Sequence, residues 1–153
     1  MGLQDLIVPI HADAMNLPFA DGYFDAVISV DAYHYFGSND SCFSKKLRPT
    51  LKKGTLVAIA FLGTKYEVHS NIPDEMKPFW KKETLAMWHS VSWWRAKLEH
   101  SLSEFTVKEM ECFDKAWEEW LSTDNPYAIE DRAMISADGG RYMNLIAVTG
   151  KAI

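Results

Sequence analysis

Two cysteines, Cys42 and Cys112, are all that 153 residues contain. They form no C-x-x-C pair, which excludes a disulfide scaffold or a zinc ribbon and predicts reduced thiols in a cytoplasmic protein. The histidines His11, His69, His89 and His100 make no H-E-x-x-H or Cys-His spacing, so no metal site is expected. Long apolar runs are missing too. The longest, residues 56–62, falls far short of the ~20 residues of a membrane helix, and no basic-then-apolar signal opens the chain, so no membrane partner is expected. Positive charge is scarce and scattered. Lys and Arg number 16 against 21 Asp and Glu, for a net charge of −5, and no basic run exceeds two residues. A nucleic-acid-binding face needs clustered cations to displace counterions, so none is expected. Finally, no G-x-G occurs anywhere. The glycine loop that lets a backbone approach a cofactor closely is therefore not in this sequence.

What is present is a series of short apolar runs. Residues 6–10, 24–30 and 56–62 read as strands separated by helix-length segments, the pattern of parallel βαβ units in a single domain. Between the second and third, Ser38-Asn39-Asp40-Ser41 offers caps for a helix to about Leu51, with Gly54 just past its end. Residues 63–66 and 71–74 read as loop. A helix is predicted over residues 82–100, with Leu85, Trp88, Val91, Trp94 or Arg95, and Leu98 on one face and Trp93 off it. Residues 105–113 have strand content. Asp114 is placed to cap a helix over 115–121, and a second helix spans 126–136 with Glu130 and Asp131 in its first turn. Asp138-Gly139-Gly140 marks a turn before a last strand over 142–149.

The first two strands end in polar residues, His11-Ala12-Asp13-Ala14 and Asp31-Ala32-Tyr33-His34, where open α/β sheets keep their ligands. The third opens from Leu51-Lys52-Lys53-Gly54-Thr55, close to the Leu-Lys-Pro-Gly-Gly of one large family but without its proline and second glycine. In order and spacing these segments resemble the central part of a class I S-adenosylmethionine-dependent methyltransferase. The resemblance implies an α/β, Rossmann-like methyltransferase sheet with parallel strands and an antiparallel last strand. It also implies that this sheet is incomplete. The family order is 3-2-1-4-5-7-6, and the chain would start just before strand three, without strands one and two or the E/D-x-G-x-G-x-G loop. Residues 1–62 would be the cofactor side, 63–104 the substrate side and 105–153 the closing strands and helices of one partial domain. Residues 6–10 would lose their neighbour, and residues 24–30 would become an exposed apolar edge, which invites pairing. Three outcomes are expected: dimerisation through that edge, direct joining of residues 6–10 to it, or completion of the sheet by a longer natural chain.

The family's site residues carry over position by position. Asp13 and the backbone N–H of Ala14 would hold adenine; the alternative is that Asp13 caps the Leu-Pro-Phe turn. Ser29, Val30 and Asp31 would flank the methionine portion. Asp31 could also take a proton from a nucleophile, against a plain capping role. Tyr33, His34 and Tyr35 would stand at the mouth of the cleft, with His34 a candidate general base or else a packing residue. Of the six tryptophans most should be core, with Trp80 or Trp93 candidates for an aromatic box. The expected function is methyl transfer from S-adenosylmethionine to a small-molecule acceptor by direct displacement, with positioning supplying much of the acceleration. Against it stand a non-catalytic module that assembles through the sheet edge, and another doubly wound enzyme, since one fold hosts many chemistries.

Overall fold

Residues 2–153 are described by a computed structural model. Its sheet is organised around β2, Leu51–Thr64, which pairs on both sides. β1, Phe24–Val30, runs parallel to it, with Ala26 opposite Leu56 and Val30 opposite Ala60. β4, Met143–Ala152, runs antiparallel on the other side, with Phe61 opposite Ile146 and Leu62 opposite Leu145. β3, Leu102–Glu109, then pairs antiparallel with β4. The order β1-β2-β4-β3 reproduces the 4-5-7-6 half of the implied methyltransferase order.

Alternation assigns the two faces. Val57, Ile59 and Phe61 of β2, Ile146 and Val148 of β4, and Val107 of β3 are buried in one cluster. Tyr33, Cys42, Phe43, Trp94 and Leu98 belong to the same cluster and cover this face. A second cluster, Val68, Met76, Trp80, Leu85, Trp88, Met134 and Met143, fills the space around one end of the sheet. On the opposite face the positions near β1 are uncovered: Ile28 is 77% exposed, Val30 72% and Leu56 59%. β1 has a partner on only one edge among the described residues.

Residues 6–10 do not form the expected strand and do not join β1. A 3-10 turn at Gln4–Leu6 leads into unpaired backbone in which Leu6, Ile7, Val8 and Ile10 are all exposed. A parallel neighbour must be reached by a crossover of a dozen or more residues, usually helical. Residues 11–23 contain Pro18 and turns, and no helix. With no ladder partner, the strand propensity of residues 6–10 has nothing to satisfy its backbone groups.

The predicted helix ending near Leu51 is broken into α1 (His34–Gly37), a π-type turn (Cys42–Leu47) and a 3-10 turn (Arg48–Thr50). None of the side chains at 38–41 caps the π-type turn; Asn39 instead accepts from Ser41 N at 3.0 Å in the turn ahead of it, and Pro49 removes a donor the helix would need. The helix predicted over 82–100 is divided as well, into α2 (Lys82–Leu85) and α3 (Val91–Leu98). Ser90 caps α3 by accepting from Trp93 N, while the His89 carbonyl accepts from Thr64 N at 3.2 Å at the end of β2. Gly63 permits that approach, because a Cβ there would stand 2.7 Å from the His89 oxygen and 2.4 Å from Ile146 Cδ1. The anticipated face is nonetheless the buried one, with Trp94 and Leu98 inaccessible.

Toward the C-terminus, β3 begins and ends earlier than residues 105–113, because Leu102 pairs with Ala152 and Phe113 opens α4 (Phe113–Leu121). Asp114 lies in the first turn of α4 and is not its cap. Helix α5, Pro126–Asp138, has Pro126 in its first turn and is capped by Asn125, which accepts from Tyr127 N at 3.0 Å. Glu130 and Asp131 lie beyond its first turn.

The exit from α5 is held by a single carboxylate. Asp138 is inaccessible; its Oδ1 accepts from Tyr142 N and Met143 N, each at 3.0 Å, and its Oδ2 from Gly140 N at 2.9 Å. Three backbone donors at the start of β4 thus depend on one side chain. Asp138→Ala should lower stability by about 2–3 kcal/mol, the usual cost of losing hydrogen bonds to a charged group. Denaturant unfolding reads this directly, and a midpoint equal to that of the unmodified chain would refute the assignment.

Candidate functional site

Over the face of β2 and β4 that carries Ala60, Leu62 and Leu145, helices α4 and α5 and the α2–α3 corner border a half-open cavity of ≈710 Å³. Its walls are largely apolar and aromatic, with Trp88, Trp117, Trp120, Phe79 and Met134 among them. The polar groups gather at the C-terminal end of β1, where Val30, Asp31, His34 and Tyr35 line it, and on α5, where Asp131 does. Asp131 is fixed by the Trp120 indole, which donates to its Oδ2 at 2.9 Å.

Asp31 leaves β1 with φ +50°, a left-handed conformation that Asp tolerates better than most residues. Its N–H still donates to the Ala60 carbonyl at 2.8 Å, so the chain turns sharply while bonded to β2. This turn carries His34 to the cavity wall. His34 is 2% exposed, and its Nδ1 has no hydrogen-bond partner among the described residues. Burial holds its pKa below the ordinary 6.5, against a smaller upward pull from the Asp31 carboxylate. Tyr35 is moved the other way: burial first, then the charges of Asp31 and Asp131, raise its phenol pKa. Trp117 also lines the cavity with a buried, unpartnered Nε1.

The expected residues are therefore brought together in part. Val30, Asp31 and His34 share the cavity. Ser29 pairs with Ile59 inside the sheet, and Asp13, Ala14 and Ser29 do not line the cavity. Asp13 closes a turn, its Oδ1 accepting from Met15 N at 2.8 Å and its carbonyl from Asn16 N at 2.9 Å. Tyr33 does not stand at the mouth but packs on the far face of the sheet, against Phe61 and Trp94. The tryptophans that reach the cavity are Trp88, Trp117 and Trp120, while Trp80 is buried in the second cluster and Trp93 stacks on His89. The amphipathic pattern of 113–121 was the signal for Trp117 and Trp120, because it gives α4 an apolar side. Spacing in sequence did not reveal that Glu67, His69 and His89 converge, their ligand atoms all within 4.8 Å of one another.

Residues 3–59 match a family model described as a methyltransferase domain. No curated protein sequence matches the chain. Among solved structures, phosphoethanolamine N-methyltransferase 2 of Haemonchus contortus, in complex with phosphomonomethylethanolamine and S-adenosylhomocysteine, superposes with a TM-score of 0.63 at 16% identity. That alignment covers 91% of this chain and 36% of the other. The fold is that of a class I methyltransferase. Geranyl diphosphate C-methyltransferase from Streptomyces coelicolor, in complex with Mg2+, geranyl diphosphate and S-adenosyl-L-homocysteine, superposes with a TM-score of 0.64 at 14% identity, over 92% of this chain and 52% of that one. This chain thus spans about a third to a half of the length of these two methyltransferases. No helix among the described residues is long and apolar enough to cross a membrane.

The depressed pKa of His34 has a defined sign. The unfolded chain takes up a proton near 6.5 while the folded site still resists it, so the contribution of His34 to stability is complete above that pH and is lost as pH falls toward the folded value. An NMR titration of the imidazole should find His34 neutral at pH 7, with its midpoint below 6.5. A midpoint above 6.5 would mean that the ring is not buried against the cavity wall.

Proposed function

We propose that these residues form the acceptor-side half of an S-adenosylmethionine-dependent methyltransferase acting on a small molecule. The observation that carries the reading is the pair of buried, unpartnered polar atoms on the cavity wall, His34 Nδ1 and Trp117 Nε1. An unsatisfied buried polar group costs about 1–3 kcal/mol, so two of them on residues that line one largely apolar cavity support a ligand that completes them once the side chains turn toward it. The cofactor, when bound, supplies a methyl group on a sulfonium. Val30 and Asp31 lie where they would flank its methionine portion, at the end of the first parallel strand. Asp13 and the Ala14 N–H would take adenine. His34, kept neutral by burial, is suited to accept the proton an acceptor loses, and the Trp117 N–H to orient it. Asp31 is the second proton acceptor at hand. The aromatic walls favour an acceptor with an apolar body. Residues 63–104 contribute Phe79, Thr84, Met87 and Trp88 to these walls, which supports their assignment to the substrate side.

In the same proposal the free edge of β1 is completed by further strands from a longer chain, and the exposed face at Ile28 and Leu56 is covered by a helix that comes with them. Parallel strands are buried on both faces in nearly all known sheets, which supports this completion. The free thiols of Cys42 and Cys112 accord with a cytoplasmic protein. The same exposed surface favours a second reading, a non-catalytic module that dimerises through β1.

Titration calorimetry with S-adenosylhomocysteine, alongside sedimentation of the same sample, separates the two. Binding that Asp13→Ala weakens by about tenfold, the equivalent of one charge-assisted hydrogen bond, is the expected result. Asp31→Asn should also weaken it while leaving the fold intact, because Asn tolerates the left-handed backbone at that position. A folded dimer that takes up no ligand would overturn the cofactor reading for this chain and leave the assembly module.

A further inference from the structure

Outside the cavity, the segment after β2 returns across the start of α3, and three side chains meet there. Glu67 Oε2 lies 2.9 Å from His69 Nδ1 and 3.0 Å from His89 Nδ1. Its other oxygen, Oε1, is held by Ser90, which donates from its backbone N at 2.7 Å and from its hydroxyl at 2.6 Å. The carboxylate is thus oriented on one side and presented to two imidazoles on the other.

The protonation of these rings decides what the cluster can do. His69 Nε2 is 2.7 Å from the Leu85 carbonyl, an acceptor, so that nitrogen carries the hydrogen. A neutral His69 then turns the Nδ1 lone pair toward a carboxylate oxygen. The contact is attractive only when the two atoms share a cation, either a second ring proton or a metal ion bonded to both. His89 repeats the arrangement in part, with Nδ1 on Glu67 and the backbone of Ala86 close to the ring. Two imidazoles that turn Nδ1 toward one carboxylate, one of them with its other nitrogen on a backbone carbonyl, approach the outer hydrogen-bonding pattern of metal-bound histidines. The rings are stacked at 4.4 Å, and His89 lies flat on Trp93 at 3.7 Å, so neither is free to swing away.

We infer that Glu67, His69 and His89 form a binding site for one zinc-type divalent ion. Two nitrogens and one oxygen suit Zn2+ and disfavour Ca2+ and Mg2+, which take oxygen ligands. At metal–ligand bonds of about 2.0–2.1 Å a tetrahedral site spaces its ligand atoms by roughly 3.3 Å; the two carboxylate–imidazole separations are 2.9 and 3.0 Å and all three ligand atoms lie within 4.8 Å of one another, so small side-chain shifts would close the site on one ion. Glu67 and His69 are partly exposed and His89 is mostly covered, so the open fourth position faces solvent. The ion would clamp the segment after β2 to the α2–α3 corner, and that corner supplies Met87 and Trp88 to the cavity wall. The site does not depend on the methyl-transfer reading.

The test uses the tag-free, chelator-stripped chain. Zn2+ titrated by calorimetry should bind one ion per chain, and Co2+ in its place should give the ligand-field absorption of a tetrahedral site. His69→Ala and Glu67→Gln should each raise Kd by at least about tenfold, whereas His100→Ala, on a fully exposed side chain, should not change it. Zn2+ should also raise the melting temperature of the unmodified chain and leave that of His69→Ala where it was. Because His69 is only partly buried, its loss leaves a folded protein in which the result can be read. No zinc uptake by the folded chain, or uptake that His69→Ala does not weaken, would overturn the assignment.

Discussion

β2 is the constraint on which the rest of this structure depends. It pairs with β1 on one side and β4 on the other, and its two rows of side chains serve different ends. Val57, Ile59 and Phe61 anchor the larger core cluster, while Ala60 and Leu62 floor the cavity. The small residue Ala60 on the second row leaves room that Leu or Ile would have filled. A cavity of this size against a central strand thus follows from a side-chain choice as well as from helix placement. Where β2 ends, Gly63 and Thr64 admit the start of α3, and the segment beyond carries Glu67 and His69 back over it.

Much of this was legible in the sequence where local signals agreed with tertiary need. β1 has the bounds its apolar run indicated, because Asp31 ends the run and the strand has an apolar partner in β2. The antiparallel closing pair was expected from the family resemblance and is found between β3 and β4. The failures share a physical cause. Residues 6–10 have strand composition, but a strand exists only with a neighbour, and composition carries no information about neighbours. The break between α2 and α3 is set by Thr64 and Glu67, which reach His89 and Ser90 from more than twenty positions away in the chain. A helical periodicity that runs through the break cannot show it.

The site divides along the same line. Asp31 and His34 were legible because they follow the end of a parallel strand, a position with a general physical role. The aromatic wall was harder to read, since a tryptophan on an amphipathic helix faces inward whether it meets core or cavity. Trp94 and Trp117 differ little in local sequence and much in surroundings. The Glu67–His69–His89 cluster was invisible because its members belong to two segments that meet only when α3 docks on the end of β2.

The stacking of His89 on Trp93 has an optical consequence. An imidazole lying face to face on an indole at 3.7 Å, with an interplanar angle of 7°, is in electronic contact with it. Any change of charge on that ring alters the emission of the indole beneath. Lys97, 5.0 Å above the same indole, adds a fixed positive field, so the chromophore already sits in an asymmetric environment. Trp93 is thereby a built-in fluorophore reporting on the docking of α3 against the end of β2.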